Sequence, residues 1–377
     1  MKIFVCYAYD PFTTGGYFEK AFREEHDVYY IGPPSAARSG YLPNEDLANL
    51  IEQGCMPKPD LVFFIDSPGR FFPRGLEKIQ SPTACYLIDV HQGLQEREIY
   101  ALFFDYIFVA QKDYIEHFKR KEHPNVFWLP LACDPEIHGK RDMPKYFDIG
   151  FVGSPNFSLR RQRLLDLLAR NFKMNDYQRF YPKEEISNIY SKSKIVFNCS
   201  VNGDLNMRVF ESLASGSMLI TDRIDNGLYD LFKDGVHLVS YQDEGSLLKK
   251  IEYYLKHDEE REAIATSGMQ LALSAHTYKH RVQTILETIF SMHEKRLTSK
   301  VRSKKSGEIH TAYAKVYSML RLVDPVFDEF SLALHEKAGR FSTGLLLIKA
   351  TLRRLNALFK LTVFFRRLVK TFMKGNY

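Results

Sequence analysis

The sequence predicts an α/β protein with two Rossmann-like domains facing a cleft and a helical C-terminal extension. Short runs rich in β-branched and aromatic residues alternate with helical patterns over most of the chain. These runs are continuously apolar, as is typical of parallel strands covered on both faces. A polar stretch with two prolines, 133–146, interrupts the alternation, which then starts again. We therefore expect two parallel sheets joined by a linker.

The elements divide the chain into domains at 1–145 and 146–296 and a tail at 297–377. The first domain has six predicted strands, at 3–9, 28–31, 61–66, 84–89, 106–110 and 126–132. The second has four, at 148–153, 195–199, 217–222 and 236–241, and helical patterns at 244–257, 259–274 and 278–296. An interdomain cleft is a favoured place for a ligand, so we expect the site there.

The tail begins with a basic segment that predicts a flexible linker. A helical pair is expected at 309–338 and 340–357, with the small-residue and proline placement of a tetratricopeptide-like repeat. One repeat cannot bury its own apolar face, so it must pack on the two-domain body, a second subunit or a partner. The stretch 349–377 has basic but no acidic residues and predicts an amphipathic helix. That helix either packs on the body or contacts a membrane surface or a partner protein.

Composition restricts the class of protein. The formal net charge of +6 permits an anionic ligand without requiring nucleic acid, and we expect no nucleic-acid partner. The five cysteines are scattered and form no CxxC pair, which favours buried thiols in a reducing compartment over zinc. No signal peptide or membrane span is predicted. These observations favour a cytoplasmic protein, with peripheral contact at the inner face of the membrane as the alternative.

The most informative stretch is Ile195–Asp222, which predicts a strand, a loop, a short helix and a second strand. Its helix carries Arg208 and Glu211 at the carboxyl edge of a parallel sheet, where open α/β sheets bind nucleotides. The Glu211 carboxylate suits two ribose hydroxyls, O2′ and O3′, although a surface glutamate would have the same pattern. Arg208 is a phosphate candidate, and Asn206 is expected to cap or orient the loop.

A diphosphate in this cleft would need neutralisation by protein groups. The sequence has no GxGxxG, no P-loop and no DxD metal-binding motif, so we expect no cofactor and no metal. Gly153 ends a predicted strand and precedes a helix that opens with Arg160, Arg161 and Arg163. Helix N-terminal amides and a guanidinium at this turn suit a phosphate, and Arg160 is the preferred candidate. The alternative is that the three arginines only solvate the helix surface.

Four further candidates lie at the matching edge of the first domain. Gly15 and Gly16 stand between the first strand and a helix, where they allow a ligand near the backbone. Asp89 and His91 follow the strand at 84–89. His91 is a candidate base or a hydrogen-bond partner of a sugar, and Asp89 would orient it or act alone. A structural histidine is the alternative; His138 and Asp134, near the linker, are weaker candidates.

Over about residues 1–295 the chain resembles the GT-B glycosyltransferases, and more narrowly the CgeB-like branch of the family 1/4 transferases. The segments that carry the resemblance are NMRVFESLASGSMLITD, HTYKHR, WLPLACDPEIH and FDIGFVG. The resemblance implies that Glu211 holds the donor ribose and that the turn at 153–163 binds the diphosphate. It also implies that Gly15-Gly16 faces the donor phosphates and acceptor, and that His91 lies near the transferred sugar.

The function implied is transfer of a hexose-type sugar from a nucleotide-diphosphate donor, UDP- or GDP-linked, without a metal. The acceptor would be a protein, such as a bacterial surface protein, or a glycan or lipid-linked acceptor. Many retaining relatives carry a glutamate where this chain has Gly203, with Asp204 beside it. Retention and inversion therefore both stay open. Two alternatives also remain, a sugar-nucleotide epimerase and a non-catalytic scaffold with a degenerate site.

Overall fold

The computed structural model describes residues 1–41, 45–66, 71–121, 123, 125–291 and 299–335. It contains two parallel sheets, which confirms the predicted fold class. The six-stranded sheet has the order β2-β1-β3-β4-β5-β6, with strands Lys2–Cys6 (β1), Asp27–Ile31 (β2), Leu61–Ile65 (β3), Thr83–Leu87 (β4), Tyr106–Val109 (β5) and Val126–Trp128 (β6). The four-stranded sheet has the order β10-β9-β8-β7, with strands Phe147–Gly150 (β7), Ser193–Asn198 (β8), Met218–Asp222 (β9) and Val239–Tyr241 (β10).

Helices cover both sheets. Those around the first sheet and the crossover to the second are Thr14–Arg23 (α1), Leu47–Glu52 (α2), Leu94–Ala101 (α3), Ile115–Arg120 (α4) and Pro135–His138 (α5). The next are Leu159–Asn171 (α6), Ile186–Ser191 (α7), Met207–Ala214 (α8), Leu228–Leu231 (α9), Glu244–Lys256 (α10), Asp258–Ala275 (α11) and Tyr278–Ser291 (α12). Two more form the described tail, Ser306–Met319 (α13) and Val323–His335 (α14).

The first sheet is largely buried on both faces because its strands are apolar at nearly every position, the exceptions being Lys2, Asp27 and Thr83. Side chains alternate across a strand, so Ile3 and Val5 enter one core while Phe4 and Cys6 enter the other. Strand order reverses at β1, since β2 lies on one side of it and β3 on the other. Such a reversal separates the loops at the carboxyl ends and opens a crevice there.

The chain passes between the two sheets at two adjacent segments. The amide of Cys133 donates to the His276 carbonyl, and the amide of Tyr278 donates to the Cys133 carbonyl. After this second crossing α12 packs on α1, with the rings of Phe18 and Tyr278 5.1 Å apart. The prediction of a polar linker at 133–146 was wrong in one respect. This stretch contains α5, whose last residue, His138, is buried.

The tail folds back as a helical hairpin on the first domain, which is its packing surface. One predicted helix, 309–338, is in fact two, because the chain turns between Met319 and Val323 with Arg321 in the left-handed region at φ 59°. The predicted segments 340–357 and 349–377 lie outside the described residues. None of the helices in the described part has the length and apolar character that a membrane crossing requires.

Aromatic residues of α13 anchor the hairpin. The ring of Tyr313 lies 4.4 Å from that of Phe103, and its hydroxyl donates to Glu77 Oε2 at 2.8 Å. Tyr317 is also fully buried in this core, and its hydroxyl donates to the carbonyl of Phe72. The hairpin is therefore part of the core of the first domain.

We expect Tyr313→Ala to lower the free energy of unfolding by about 3–5 kcal/mol, the cost of truncating a buried aromatic ring. Urea denaturation of the full chain measures this change. Lys315→Ala is the matched control, because Lys315 is exposed on the same helix and its truncation is expected to change stability little. Equal unfolding midpoints for Tyr313→Ala and the wild type would contradict a core role for the hairpin.

Candidate active site

A cavity of about 650 Å³ lies between the two domains at the carboxyl ends of their strands. The first domain contributes Asp89 and Gln92, which follow β4. The second domain provides the rest of the lining, from the loops after β7 and β8, the N-terminus of α8 and the segment before α7. Its polar and charged members include Arg161, Gln178, Arg179, Lys183, Asp204, Asn206, Arg208 and Glu211.

Glu211 lies on α8 with only 8% of its surface exposed, and it lines this cavity. Among the described residues none donates a hydrogen bond to its carboxylate, and the imidazole Nε2 of His138 lies 3.6 Å from Oε1. A buried carboxylate without a bonded partner is costly unless a ligand supplies donors. The side chain is thus placed to accept hydroxyl groups from the cavity.

The N-terminus of α8 also faces the cavity, through Asn206, Met207 and Arg208. Asn206 occupies the N-cap position, but its side chain makes no capping bond and instead donates to Asn198 Oδ1 at 3.3 Å. The first amides of this helix therefore stay available on the cavity side. Such amides, at the positive end of a helix dipole, are suited to an anion.

The Arg208 guanidinium is held in place at the cavity wall. It donates to the Val152 carbonyl from Nε and Nη2, to Asn198 Oδ1 from Nη1 at 2.8 Å, and lies over the Phe151 ring. Gly153 makes this placement possible, because a Cβ at that position would lie 2.2 Å from Arg208 Nη2. Gly153 also has φ 145°, where other residues are strained. Glycine at 153 thus leaves room for the guanidinium.

The structure places Arg160 outside the cavity lining. Its side chain is 54% exposed, pairs with Asp222 at 3.1 Å and borders a separate surface groove. Arg161 is the buried arginine that lines the cavity, and it donates to the carbonyls of Cys199 and Ser154. Burial, and next the charge of Arg208, lower the pKa of Arg161. Arg161 lies on the buried face of α6 with Leu164 and Leu168, whereas its neighbour Arg160 points away from that face.

Lys183 is a cationic lining residue that the sequence did not reveal. Its Nζ pairs with Asp10 Oδ2 at 3.0 Å, which joins the second domain to the loop after β1 of the first. Lys183 lies in a short turn before α7 with no recognisable motif. Its contact with Asp10 depends on how the two domains meet, so a sequence pattern had no signal for it.

Asp89, His91 and Asp204 form what we call the Asp–His–Asp cluster. One ring nitrogen of His91 and one carboxylate oxygen from each aspartate lie within 4.8 Å of one another. Two residues of the first domain therefore meet one of the second. Asp89 is in the left-handed region at φ 50°, and the next three residues form a helical turn that carries His91. Burial raises the pKa of Asp204, which accepts from the Val201 amide at 2.7 Å. His91 Nδ1 is buried without a hydrogen-bond partner in the described structure.

Gly15 and Gly16 lie in the first turn of α1 and are absent from the cavity lining. A Cβ on Gly15 would lie 2.2 Å from the Tyr7 ring, and one on Gly16 would lie 2.6 Å from the Asp10 and Pro11 carbonyls. Both glycines therefore allow the loop after β1 to pack closely on the helix. That loop carries Asp10, the partner of Lys183, so they shape the cavity mouth indirectly.

Comparison with known proteins shows a similarity to glycosyltransferases. Residues 141–287 match a family model described as glycosyl transferase-like. Similar solved structures include HepE of Anabaena in complex with UDP, with 12% identity over 77% of this chain and 99% of that one and a TM-score of 0.57. A glycosyltransferase of Rickettsia africae has 11% identity over 78% and 99%, with a TM-score of 0.54. No curated protein matches the chain.

The β-glucosyltransferase of phage T4 is also similar, with 13% identity over 79% of this chain and 100% of that one and a TM-score of 0.51. Likeness at such identities establishes the fold, which is GT-B. The family match covers the second sheet and its helices. Placement in the CgeB-like branch stays a prediction.

Proposed function

We propose that this GT-B chain, glycosyl transferase-like over 141–287, transfers a hexose-type sugar from a nucleotide-diphosphate donor to an acceptor. The observation that carries the proposal is Glu211, a nearly buried carboxylate in the cavity wall to which no described residue donates a hydrogen bond. Two vicinal ribose hydroxyls are the donors that such a carboxylate lacks. UDP, which HepE binds, is the first nucleotide to test.

The diphosphate would lie beside Glu211, where positive groups converge. The N-terminal amides of α8 and the Arg208 guanidinium share this wall of the cavity, and Arg161 adds a buried positive charge behind it. Arg208 is already oriented by Val152 and Asn198, so little reorganisation is needed when the leaving diphosphate gains charge. These groups would neutralise the negative charge of the diphosphate, which is the role of a bound metal ion in metal-dependent transferases.

The cavity mouth carries a contact that the donor would change. Lys183 pairs with Asp10 across the domains while it also lines the cavity. Both partners are roughly half exposed, so the pair contributes little stability on its own. A diphosphate would compete with Asp10 for the ammonium group, and closure around the donor would exclude water from the reacting centre.

The Asp–His–Asp cluster would act on the acceptor. In the transfer step the bond from the sugar C1 to the phosphate oxygen breaks, the bond from C1 to the acceptor oxygen forms, and the acceptor loses a proton. His91 is the proposed base, and the carboxylates of Asp89 and Asp204 would stabilise the imidazolium formed. A base at this position predicts inversion at C1, which product analysis by NMR decides. If the configuration at C1 is retained, the leaving phosphate would instead take the proton from the acceptor.

Nucleotide sugars test the proposal directly. We expect UDP- or GDP-linked hexoses to raise the thermal unfolding temperature of the full chain and to be hydrolysed slowly without an acceptor. An epimerase would give a changed nucleotide sugar, and a scaffold would give no turnover. Absence of binding by every UDP- and GDP-linked hexose tested would reject the assignment.

Chelation is expected to leave the transfer rate unchanged. The N-terminal amides of α8, Arg208 and Arg161 surround the proposed diphosphate position, so binding of the diphosphate requires no divalent cation. The measurement is initial velocity with excess EDTA, then with added Mg²⁺ or Mn²⁺. Loss of activity in EDTA and recovery with Mn²⁺ would contradict metal independence. That result would point to the Asp–His–Asp cluster, whose spacing suits a cation.

The acceptor is proposed to be a protein or a glycan, free or lipid-linked. The described tail hairpin is buried against the first domain, so its helices serve the core rather than offering a free repeat surface. Contact of the basic segment 349–377 with a membrane or partner stays a prediction. Assays of peptide, oligosaccharide and lipid-linked acceptors with the full chain would identify the class.

A further inference from the structure

We propose that His138 is a positioning residue whose Nε2–H group fixes the Glu211 carboxylate in the orientation that accepts the two ribose hydroxyls. The inference rests on the proposed function and deepens it. His138 ends α5, in the stretch predicted as a linker, and packs beside α8. His138 is not itself a cavity-lining residue, so its effect on a ligand passes through Glu211.

The hydrogen bonds of His138 determine its tautomer. The backbone amide of Asp134 donates to His138 Nδ1 at 2.9 Å, so Nδ1 is an acceptor and carries no proton. Burial lowers the pKa of His138, which keeps the ring neutral near pH 7. The single ring proton must then be on Nε2.

That proton is directed at Glu211. Nε2 lies 3.6 Å from Glu211 Oε1, while the histidine is 99% buried and Nε2 has no hydrogen-bond partner among the described residues. A buried donor without a partner is unfavourable, and a small rotation of the carboxylate brings Oε1 within hydrogen-bonding distance. The contact leaves Oε2 and one side of Oε1 for the ribose.

The imidazole is held so that the carboxylate is the group that moves. The His138 amide donates back to the Asp134 carbonyl, and the Asp134 carboxylate caps the first amides of α5. Lys20 of α1 pairs with that carboxylate at 2.8 Å. The Tyr17 ring meets the imidazole edge to face, with centroids 5.1 Å apart. A fixed donor beside a carboxylate with rotational freedom is the arrangement that positioning requires.

The test separates positioning from packing by removing one nitrogen at a time. In His138→Asn the side-chain oxygen can still accept from the Asp134 amide, but the donor toward Glu211 is lost. In His138→Gln the amide nitrogen can take the place of Nε2, which makes it the conservative rescue. His123→Asn is the matched control, because His123 is also a buried histidine but bonds carbonyls of the first domain. Affinities for UDP and 2′-deoxy-UDP, or GDP and its 2′-deoxy form, are measured by calorimetry.

We expect the wild type to prefer the ribonucleotide about tenfold, as one hydrogen bond to a charged group provides. His138→Asn should reduce that ratio to less than about threefold by weakening ribonucleotide binding, while His138→Gln should restore most of it. His123→Asn should leave the ratio unchanged. In a Glu211→Ala background the His138 substitutions should no longer alter it.

Equal loss of both affinities in His138→Asn, or an unchanged ratio, would overturn the positioning role and leave the proposed function standing. A wild type that binds none of the four nucleotides would reject both. The tautomer has its own test, since the ¹⁵N spectrum of histidine-labelled full-length protein should show His138 protonated at Nε2 without any nucleotide. Protonation at Nδ1 would also overturn the inference.

Discussion

Replacing Glu211 with alanine is expected to lower kcat/KM for sugar transfer by about 100- to 1,000-fold. Two hydrogen bonds from ribose hydroxyls to a carboxylate contribute about 1.5–2 kcal/mol each, and every 1.4 kcal/mol is a factor of ten. The loss should occur mainly in donor binding, because the ribose contacts persist from ground state to transition state. Steady-state kinetics over a range of donor concentrations measure the effect.

Glu252→Gln is the matched control for this experiment, because Glu252 is exposed on α10 of the same domain. Glu211→Gln keeps the shape of the side chain and removes its charge, so it separates a folding defect from lost recognition. Thermal unfolding should show both variants folded. Wild-type donor affinity in Glu211→Ala would refute the ribose assignment.

Arg208→Ala is expected to reduce kcat by about 100- to 1,000-fold, the range found when a preoriented group that stabilises transition-state charge is removed. Its guanidinium lies on the cavity wall beside the N-terminus of α8, where the leaving diphosphate would gain charge. Arg208→Lys should recover little activity. A lysine cannot bond the Val152 carbonyl and Asn198 Oδ1 with the planar geometry that fixes the arginine.

Arg163→Ala controls for the loss of one positive charge, since Arg163 is on α6 and largely exposed. Single-turnover kinetics separate the chemical step from product release in these variants. Gly153→Ala offers an independent route to the same defect, because its Cβ would displace the guanidinium. Full turnover by Arg208→Ala would exclude a role for this residue in diphosphate departure.

Most of the fold could be predicted from the sequence because most of its strands are continuous apolar runs. Runs such as Leu61–Ile65 are fully buried in the structure, and no amphipathic alternation obscured them. The tail was harder to predict. A helical pattern runs through the turn at Arg321, and the pattern alone carries no signal for a residue of positive φ other than glycine. Contacts such as Tyr313 with Phe103 are long-range, so only the structure could show what the hairpin covers.

The candidate site was predictable where one local motif builds it. Asn206, Arg208 and Glu211 share one helix, and the structure brings all three to the cavity. The sequence favoured Arg160, whereas Arg161 lines the cavity, because neighbours on a helix differ by about 100° in direction. Arg161 lies on the buried face of α6, and Arg160 does not.

Residues brought together across domains gave no sequence signal. Lys183 reaches the cavity from the turn before α7, and Asp204 meets Asp89 from the opposite domain. His138 ranked only as a weaker candidate in the sequence for another reason. It follows a polar segment with a proline, which predicts a solvated linker, whereas the Asp134 cap turns it inward.

The two adjacent crossings of the chain have a consequence for synthesis on the ribosome. The first sheet needs α12 and α13 to complete its core, through Tyr278 against Phe18 and Tyr313 against Phe103. Translation delivers these helices only after the whole second sheet has emerged. The second sheet, whose strands and flanking helices α6 to α11 are contiguous, can fold first, while the nascent first domain keeps apolar surface exposed. A pause in translation before Tyr278 should therefore lengthen the period in which a chaperone can bind that surface.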